Sequence, residues 1–189
     1  MAVLITAFEP FGGEQINTSA EVLRMLPETI SGFPVRKQLL PVVFGKAAEL
    51  ALKQPADAVF LLGEAGRRET VTPEIRARNL RNARIPDNEG NQPLDQPVLP
   101  GGAEWYRTGV PVERIVERMR DEGEQIAVSE DAGTYVCNDT FYLVGLNSGA
   151  PVDFIHVPHR TEGIAALAET VRRFIELALT VKEDPEPIL

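Results

Sequence analysis

The run DAVFLLG at residues 57–63 limits the fold more than any other feature of this sequence. It is apolar without the alternation of a half-solvated strand, so it reads as a strand covered on both faces. Such a strand needs a packing layer on each side of its sheet. AVLITAF (2–8), VRKQLLPVVF (35–44), QIAVS (125–129) and VDFIHV (152–157) read as further strands. Between them lie helical stretches: SAEVLRML (19–26) with Thr18 or Ser19 near its cap, GKAAELALKQ (45–54), the segment from Val136 to Leu146, and a long closing helix over 162–181. Val112, Ile115, Val116 and Met119 recur at helical spacing, which predicts one buried stripe on a helix over 111–122. Strands alternating with helices build βαβ units. The expected fold class is therefore α/β, a single three-layer α/β/α domain over residues 1–189 with a mainly parallel, twisted sheet.

A chain of 189 residues, 43% of them hydrophobic, is large enough to bury one sizeable core. Its 28 acidic residues outnumber 19 basic ones, and the net charge of −9 repels phosphate backbones and anionic lipid surfaces. Nucleic acid and membrane are thus not expected partners. No apolar run reaches the ~18 to 20 residues of a membrane span, and MAVLITAFEPFGG lacks the basic flank and cleavage site of a signal peptide. The expected location is cytoplasmic. Residues 67–84, RRETVTPEIRARNLRNAR, oppose the overall charge with six arginines and read most simply as a solvated basic face. The stretch from Asn82 to Gly102, rich in Pro, Asn, Asp and Gly, is expected to be a long functional loop, a lid or a subunit contact. The tail KEDPEPIL (182–189) is expected to fray.

Ligands of open α/β sheets bind beyond the carboxyl ends of the strands. Four turns meet that condition: FEPFGG (8–13), GEAGRR (63–68), EDAGTYVC (130–137) and HVPHR (156–160). Cys137, the only cysteine, ends one of them at the start of a helix. A free cysteine is commonly a small core residue. At a helix start, however, unpaired N–H groups and the dipole stabilise a thiolate, and an imidazole can hold the proton. His156 and His159 are the only histidines, and His156 ends a strand beside another of these turns. A carboxylate is the usual third member of such a set, and 28 acidic residues leave its identity open. The Gly-containing turns match neither dinucleotide nor P-loop fingerprints. A zinc site from Cys137, Asp139, His156 and His159 is disfavoured by Pro158 between the histidines and by the absence of a second cysteine. Neither metal nor cofactor is expected.

ITAFEPFGGEQINTS, GEAGRRETVTPEIRARN, NARIPDNEGNQP, AGTYVCND and FIHVP together resemble the blocks of the pyroglutamyl peptidase I family, in the same order and at similar intervals. The resemblance runs from residue 3 to about residue 178 and implies a cofactor-free thiol peptidase that removes an N-terminal pyroglutamyl residue from peptides. It places the nucleophile on Cys137, the base on His156 and the orienting carboxylate on Glu74. For substrate binding it implies Phe8 and Phe11 around the pyrrolidone ring, Asn17 after that turn, the backbone at Glu64, and Arg84 near the site. Relatives of this family are often homo-oligomers, so a dimer or tetramer is implied by analogy. The chain departs from the family in GEAGRR, where GQAGGR is usual: Glu64 replaces an amide and Arg67 a glycine. NTS stands for NPS, the stretch between Cys137 and His156 is shorter, and His159 occupies a position where an aromatic is common. These departures leave open a non-catalytic or altered-specificity relative that binds pyroglutamyl-like termini.

Overall fold

The computed structural model describes residues 2–180; the tail expected to fray lies outside them. Six strands form one sheet in the order β2 (Thr29–Ile30), β3 (Phe33–Leu40), β1 (Val3–Phe8), β4 (Ala58–Glu64), β8 (Val152–Val157), β5 (Thr72–Glu74). β1 pairs in parallel with both β3 and β4, and β4 with β8, whereas the short outer strands β2 and β5 run antiparallel. β6 (Arg76–Arg78) and β7 (Trp105–Arg107) make a separate two-stranded ribbon. Among the described residues, no helix is long and apolar enough to cross a membrane.

Alternation along β1 explains the layering. Val3, Ile5 and Ala7 enter the core shared with α1 (Thr18–Met25), α3 (Val112–Asp121) and α5 (Ile164–Thr180). Leu4 and Phe8 point to the opposite core, shared with α2 (Lys46–Leu52) and α4 (Val136–Asn147). The fold is the three-layer α/β arrangement that DAVFLLG requires: this run becomes β4, flanked by β1 and β8 and buried throughout its length except at Glu64. The stripe on α3 is equally well buried, and each such side chain contributes roughly 1.5–3 kcal/mol.

Three local expectations change. The cap of α1 is Asn17, whose side chain accepts the Ser19 N–H at 3.0 Å. QIAVS forms only isolated parallel bridges, at Ile126 with Val71 and at Ser129 with Glu74. Its backbone bonds to Val71, Pro73 and Ile75 are present, but Pro73 has no N–H to complete the ladder. The basic run is not a solvated face. Val71, Thr72, Glu74, Ile75 and Ala77 are buried between its arginines, in and beside β5 and β6. Arg76 and Arg78 lie over the Trp105 ring at 4.3 and 4.6 Å.

The 82–102 stretch is pinned rather than loose. Asp87 accepts the backbone N–H groups of Phe44, Glu89 and Asn91 at 3.1, 2.9 and 2.8 Å. Asn82 N–H bonds the Thr134 carbonyl at 3.0 Å, fastening the start of the stretch to the turn before α4.

Asp153 is the least comfortable residue of the sheet. It lies wholly buried on β8, and neither carboxylate oxygen meets the full geometry of a hydrogen bond among the described residues, the Phe154 N–H and Thr108 hydroxyl being its nearest polar neighbours. The adjacent Thr108 hydroxyl donates to the Val152 carbonyl at 2.6 Å, so it offsets little of the cost of burying Asp153. Burial, reinforced by the charges of Glu74 and Glu113, pushes Asp153 well above the usual carboxylate range. A raised folded pKa gives stability that is complete below the unfolded value of about 3.9 and is lost as pH rises, by up to about 1.4 kcal/mol per pH unit. Asp153→Asn, neutral at every pH, is expected to raise the melting temperature at pH 7 by several degrees, and the gain should vanish near pH 4. Equal gains at both pH values would show that Asp153 is not protonated in the fold.

Candidate active site

A cavity of about 740 Å³ opens where β1, β4 and β8 end. The chain leaves β1 for β3 on one side and returns for β4 on the other, so the connections diverge and leave a crevice there. Phe8 closes β1, Glu64 closes β4, His156 is next to last on β8, and Cys137 is the second residue of α4; all four line the cavity. Phe11, Asn17 and Arg84 line it as well, whereas Glu74 lies behind His156 with no exposure.

The start of α4 is built to leave its N–H groups available. Tyr135, at the cap position, supplies no side-chain cap. The polar residues that follow Cys137 turn away: Asn138 clamps the chain after β6, exchanging hydrogen bonds with Arg78 N–H and C=O at 2.7 and 2.8 Å and donating to Leu80 C=O at 3.0 Å. Asp139 accepts the Gly45 N–H at 2.7 Å and pairs with Arg81 at 2.5 Å. Thus CND holds the basic run against α4 while its cysteine faces the cavity.

His156 connects the two ends of the site. Its Nδ1 lies 2.7 Å from Glu74 Oε1, which leaves the other ring nitrogen for Cys137. Burial opposes a charged ring, yet hydrogen bonds and charge from Cys137 and Glu74 outweigh it and raise His156 to about 9. The β5–β8 register accounts for the Glu74 contact: Thr72 lies opposite His156 and Glu74 opposite Phe154, so Glu74 and His156 share a sheet face as diagonal neighbours. Phe154 packs against the imidazole with centroids 4.7 Å apart.

Several residues at the site carried no sequence signal. Arg68 donates to the same Glu74 Oε1 at 3.2 Å, and to Ser129 Oγ and the Asp131 carbonyl at 2.7 and 2.9 Å. Tyr135 presents a third aromatic ring, 6.1 Å from that of Phe11, with its hydroxyl donating to the Pro86 carbonyl at 3.0 Å. Burial and the nearby Asp87 and Cys137 charges push this phenol up to about 12. The candidates Asn17 and Glu64 are already engaged: Asn17 caps α1 and donates to the Glu9 carbonyl at 3.0 Å. Glu64 accepts the Thr18 N–H at 2.6 Å and meets His159 Nδ1 at 3.0 Å, so three of the positions at which this chain departs from the family contact one another.

Gly63 sets how closely sulfur approaches the sheet. A Cβ there would lie 2.9 Å from Cys137 Sγ and 2.6 Å from the Phe154 ring, which is fully buried and has no room to yield. Gly63→Ala is expected to lower kcat/KM by about 100-fold through displacement of the thiol, and to cost about 1–3 kcal/mol through overpacking. A variant with unchanged kinetics would show that the sulfur position is not critical.

A family model described as pyroglutamyl peptidase matches residues 1–176. The chain is 45% identical to the pyrrolidone-carboxylate peptidase of Escherichia fergusonii, covering 94% of this chain and 90% of that protein. It is 40% identical to that of Thermococcus kodakarensis, covering 95% and 94%. Among solved structures it is similar to pyrrolidone carboxyl peptidase from Thermus thermophilus, with a TM-score of 0.86 at 34% identity over 92% of this chain and 98% of that one. Pyroglutamyl peptidase I from Bacillus amyloliquefaciens superposes with a TM-score of 0.87 at 35% identity, covering 97% and 96%.

Proposed function

This chain belongs to the pyroglutamyl peptidase family, and we propose that it hydrolyses the amide bond after an N-terminal pyroglutamyl residue, with Cys137 as nucleophile, His156 as acid and base, and Glu74 as orienting carboxylate. The observation that carries this reading is the buried relay in which Glu74 holds His156 Nδ1 at 2.7 Å while the opposite side of the ring serves Cys137. Cys137 sulfur attacks the pyroglutamyl carbonyl carbon, and the uncapped N–H groups at the start of α4 receive the developing oxyanion. As the carbon–nitrogen bond breaks, the imidazolium of His156 gives its proton to the departing amine, leaving a thioester. Water then attacks the thioester carbonyl and gives its proton to His156. Collapse of the tetrahedral adduct releases pyroglutamate and frees the Cys137 sulfur for the next turnover.

A pyroglutamyl terminus has no ammonium group, so an acidic aminopeptidase pocket would find nothing to pair with. A flat neutral lactam instead suits an apolar slot with a few polar contacts, and Phe8, Phe11 and Tyr135 provide such a slot. Asn17 and the backbone at Glu64 are assigned to the lactam, with the Glu64 side chain turned toward His159. We place the enzyme in the cytoplasm as one peptidase domain that assembles as a homo-oligomer. Exposed Leu94 and Leu99 on the 82–102 stretch support a contact there, which light scattering of the purified protein tests.

The decisive assay is release of a fluorophore from pyroglutamyl and prolyl amides. Cleavage of the pyroglutamyl amide alone, blocked by iodoacetamide and indifferent to EDTA, is the expected result. Binding of the pyroglutamyl amide without cleavage would make the chain a recognition module instead.

A further inference from the structure

The catalytic cavity is lined by two arginines that no described residue of the fold pairs with directly. Arg67 and Arg84 both line the cavity that contains Cys137, and both are exposed. Among the described residues, neither side chain has an ion-pair or hydrogen-bond partner. Every other charged side chain lining the cavity is already engaged. Arg68 is held by Glu74 and Ser129, Glu64 by Thr18 and His159, and the Asp131 carboxylate accepts the Gly133 N–H at 3.0 Å. His156 is held by Glu74 and Cys137. In a chain of net charge −9, two unpaired guanidinium groups lining the cavity that holds the nucleophile favour an anionic ligand.

Both arginines project from fixed backbone. Arg67 lies in the turn Ala65–Arg68, which is closed by Arg68 N–H to Ala65 C=O and tied to β8 by Ala65 N–H to Val157 C=O, each at 2.9 Å. The Arg84 carbonyl accepts from Gln92 at 3.2 Å. The turn does not need an arginine at position 67, where the resembling sequences have glycine. The deep part of the cavity is the buried side, with Phe8 and Asn17 each 2% exposed. With the pyroglutamyl ring there and its carbonyl at Cys137, the leaving portion of the peptide extends outward, toward the exposed residues.

We propose that Arg67, together with Arg84, forms a carboxylate-recognising subsite for the leaving portion of the substrate, so that the enzyme prefers pyroglutamyl peptides with an acid immediately after the scissile bond. The inference rests on the pyroglutamyl peptidase reading. The carboxylate is either an acidic side chain on the second residue or the free terminus of a pyroglutamyl dipeptide. A guanidinium recognises both through the same paired N–H donors.

The test compares three nearly isosteric substrates: pyroglutamyl-glutamate amide, pyroglutamyl-glutamine amide and pyroglutamyl-glutamine with a free carboxyl terminus. At low ionic strength, kcat/KM for at least one acid-bearing substrate is expected to exceed that for the neutral amide by about 5-fold, a range set by one or two exposed ion pairs. Which acid gains identifies the source of the carboxylate. The ratio should fall about 2- to 3-fold in Arg67→Gly, drop below one in Arg67→Glu, and approach one at high salt. Thermal melting of both variants checks that this exposed turn still folds. A wild-type ratio of one for both acids, or a ratio unchanged in both variants, overturns the subsite while leaving the peptidase intact. A wild-type protein that cleaves none of the three overturns the activity and the subsite together.

Discussion

Cys137→Ala is expected to bring hydrolysis of a pyroglutamyl amide down to background, a loss of about 10,000-fold or more in kcat, as for removal of other enzymic nucleophiles. No other thiol exists in the chain to substitute for it. Cys137→Ser should lose nearly as much. A hydroxyl is a far weaker acid than a thiol, so a serine at this position has to be deprotonated by His156 during attack in a site built around a thiol. The thiol is only partly buried, so truncation at this position removes little packing, and the melting temperature should stay within a few degrees of wild type. Iodoacetamide should place one label on the native protein, with loss of activity in proportion to labelling. Cleavage by Cys137→Ala within tenfold of wild type would transfer the nucleophile's role to another group.

What the sequence discloses depends on whether a residue acts through local pattern or through distant contact. DAVFLLG and the α3 stripe are periodic signals, and both elements form where the pattern puts them. Cys137 and His156 are legible as a pair because His156 lies at the end of a strand and Cys137 follows a strand-like run into a helix. That run makes only isolated bridges, yet its turn still reaches the crevice at the strand-order reversal. Glu74 has no such signal. It ends a three-residue strand broken by Pro73 and lies in a run whose arginines conceal buried Val71, Ile75 and Ala77. Only the family resemblance singles it out from 28 acidic residues, and only the β5–β8 register explains its reach to His156. Gly63 and Tyr135 are silent for the same reason. Their roles consist of contacts with Cys137, Phe154 and Phe11, which no spacing along the chain encodes.

Glu74→Gln should keep the shape of the relay and remove its charge, with a loss of about 100- to 10,000-fold in kcat/KM, as when the carboxylate of a comparable triad becomes an amide. Two physical effects act together. The amide no longer fixes the proton on His156 Nδ1, so the wrong tautomer becomes accessible. Arg68, 3.2 Å from Oε1, then faces the buried ring without an intervening anion, which disfavours the imidazolium. In the wild type the imidazolium persists to about pH 9, so the alkaline limb of kcat/KM is expected near that value, as a property of the coupled Cys137–His156 pair. With Glu74 neutral, that limb should move down by roughly one unit or more. The same titration governs stability with a definite sign. A histidine raised from 6.5 to about 9 stabilises the fold fully below pH 6.5, and that contribution is lost as pH rises toward 9. Wild type should therefore lose melting temperature across this window, and Glu74→Gln should lose less because its imidazolium is less favoured at the outset. A variant with the wild-type alkaline limb and kcat/KM within threefold would mean that Glu74 only fills space behind His156.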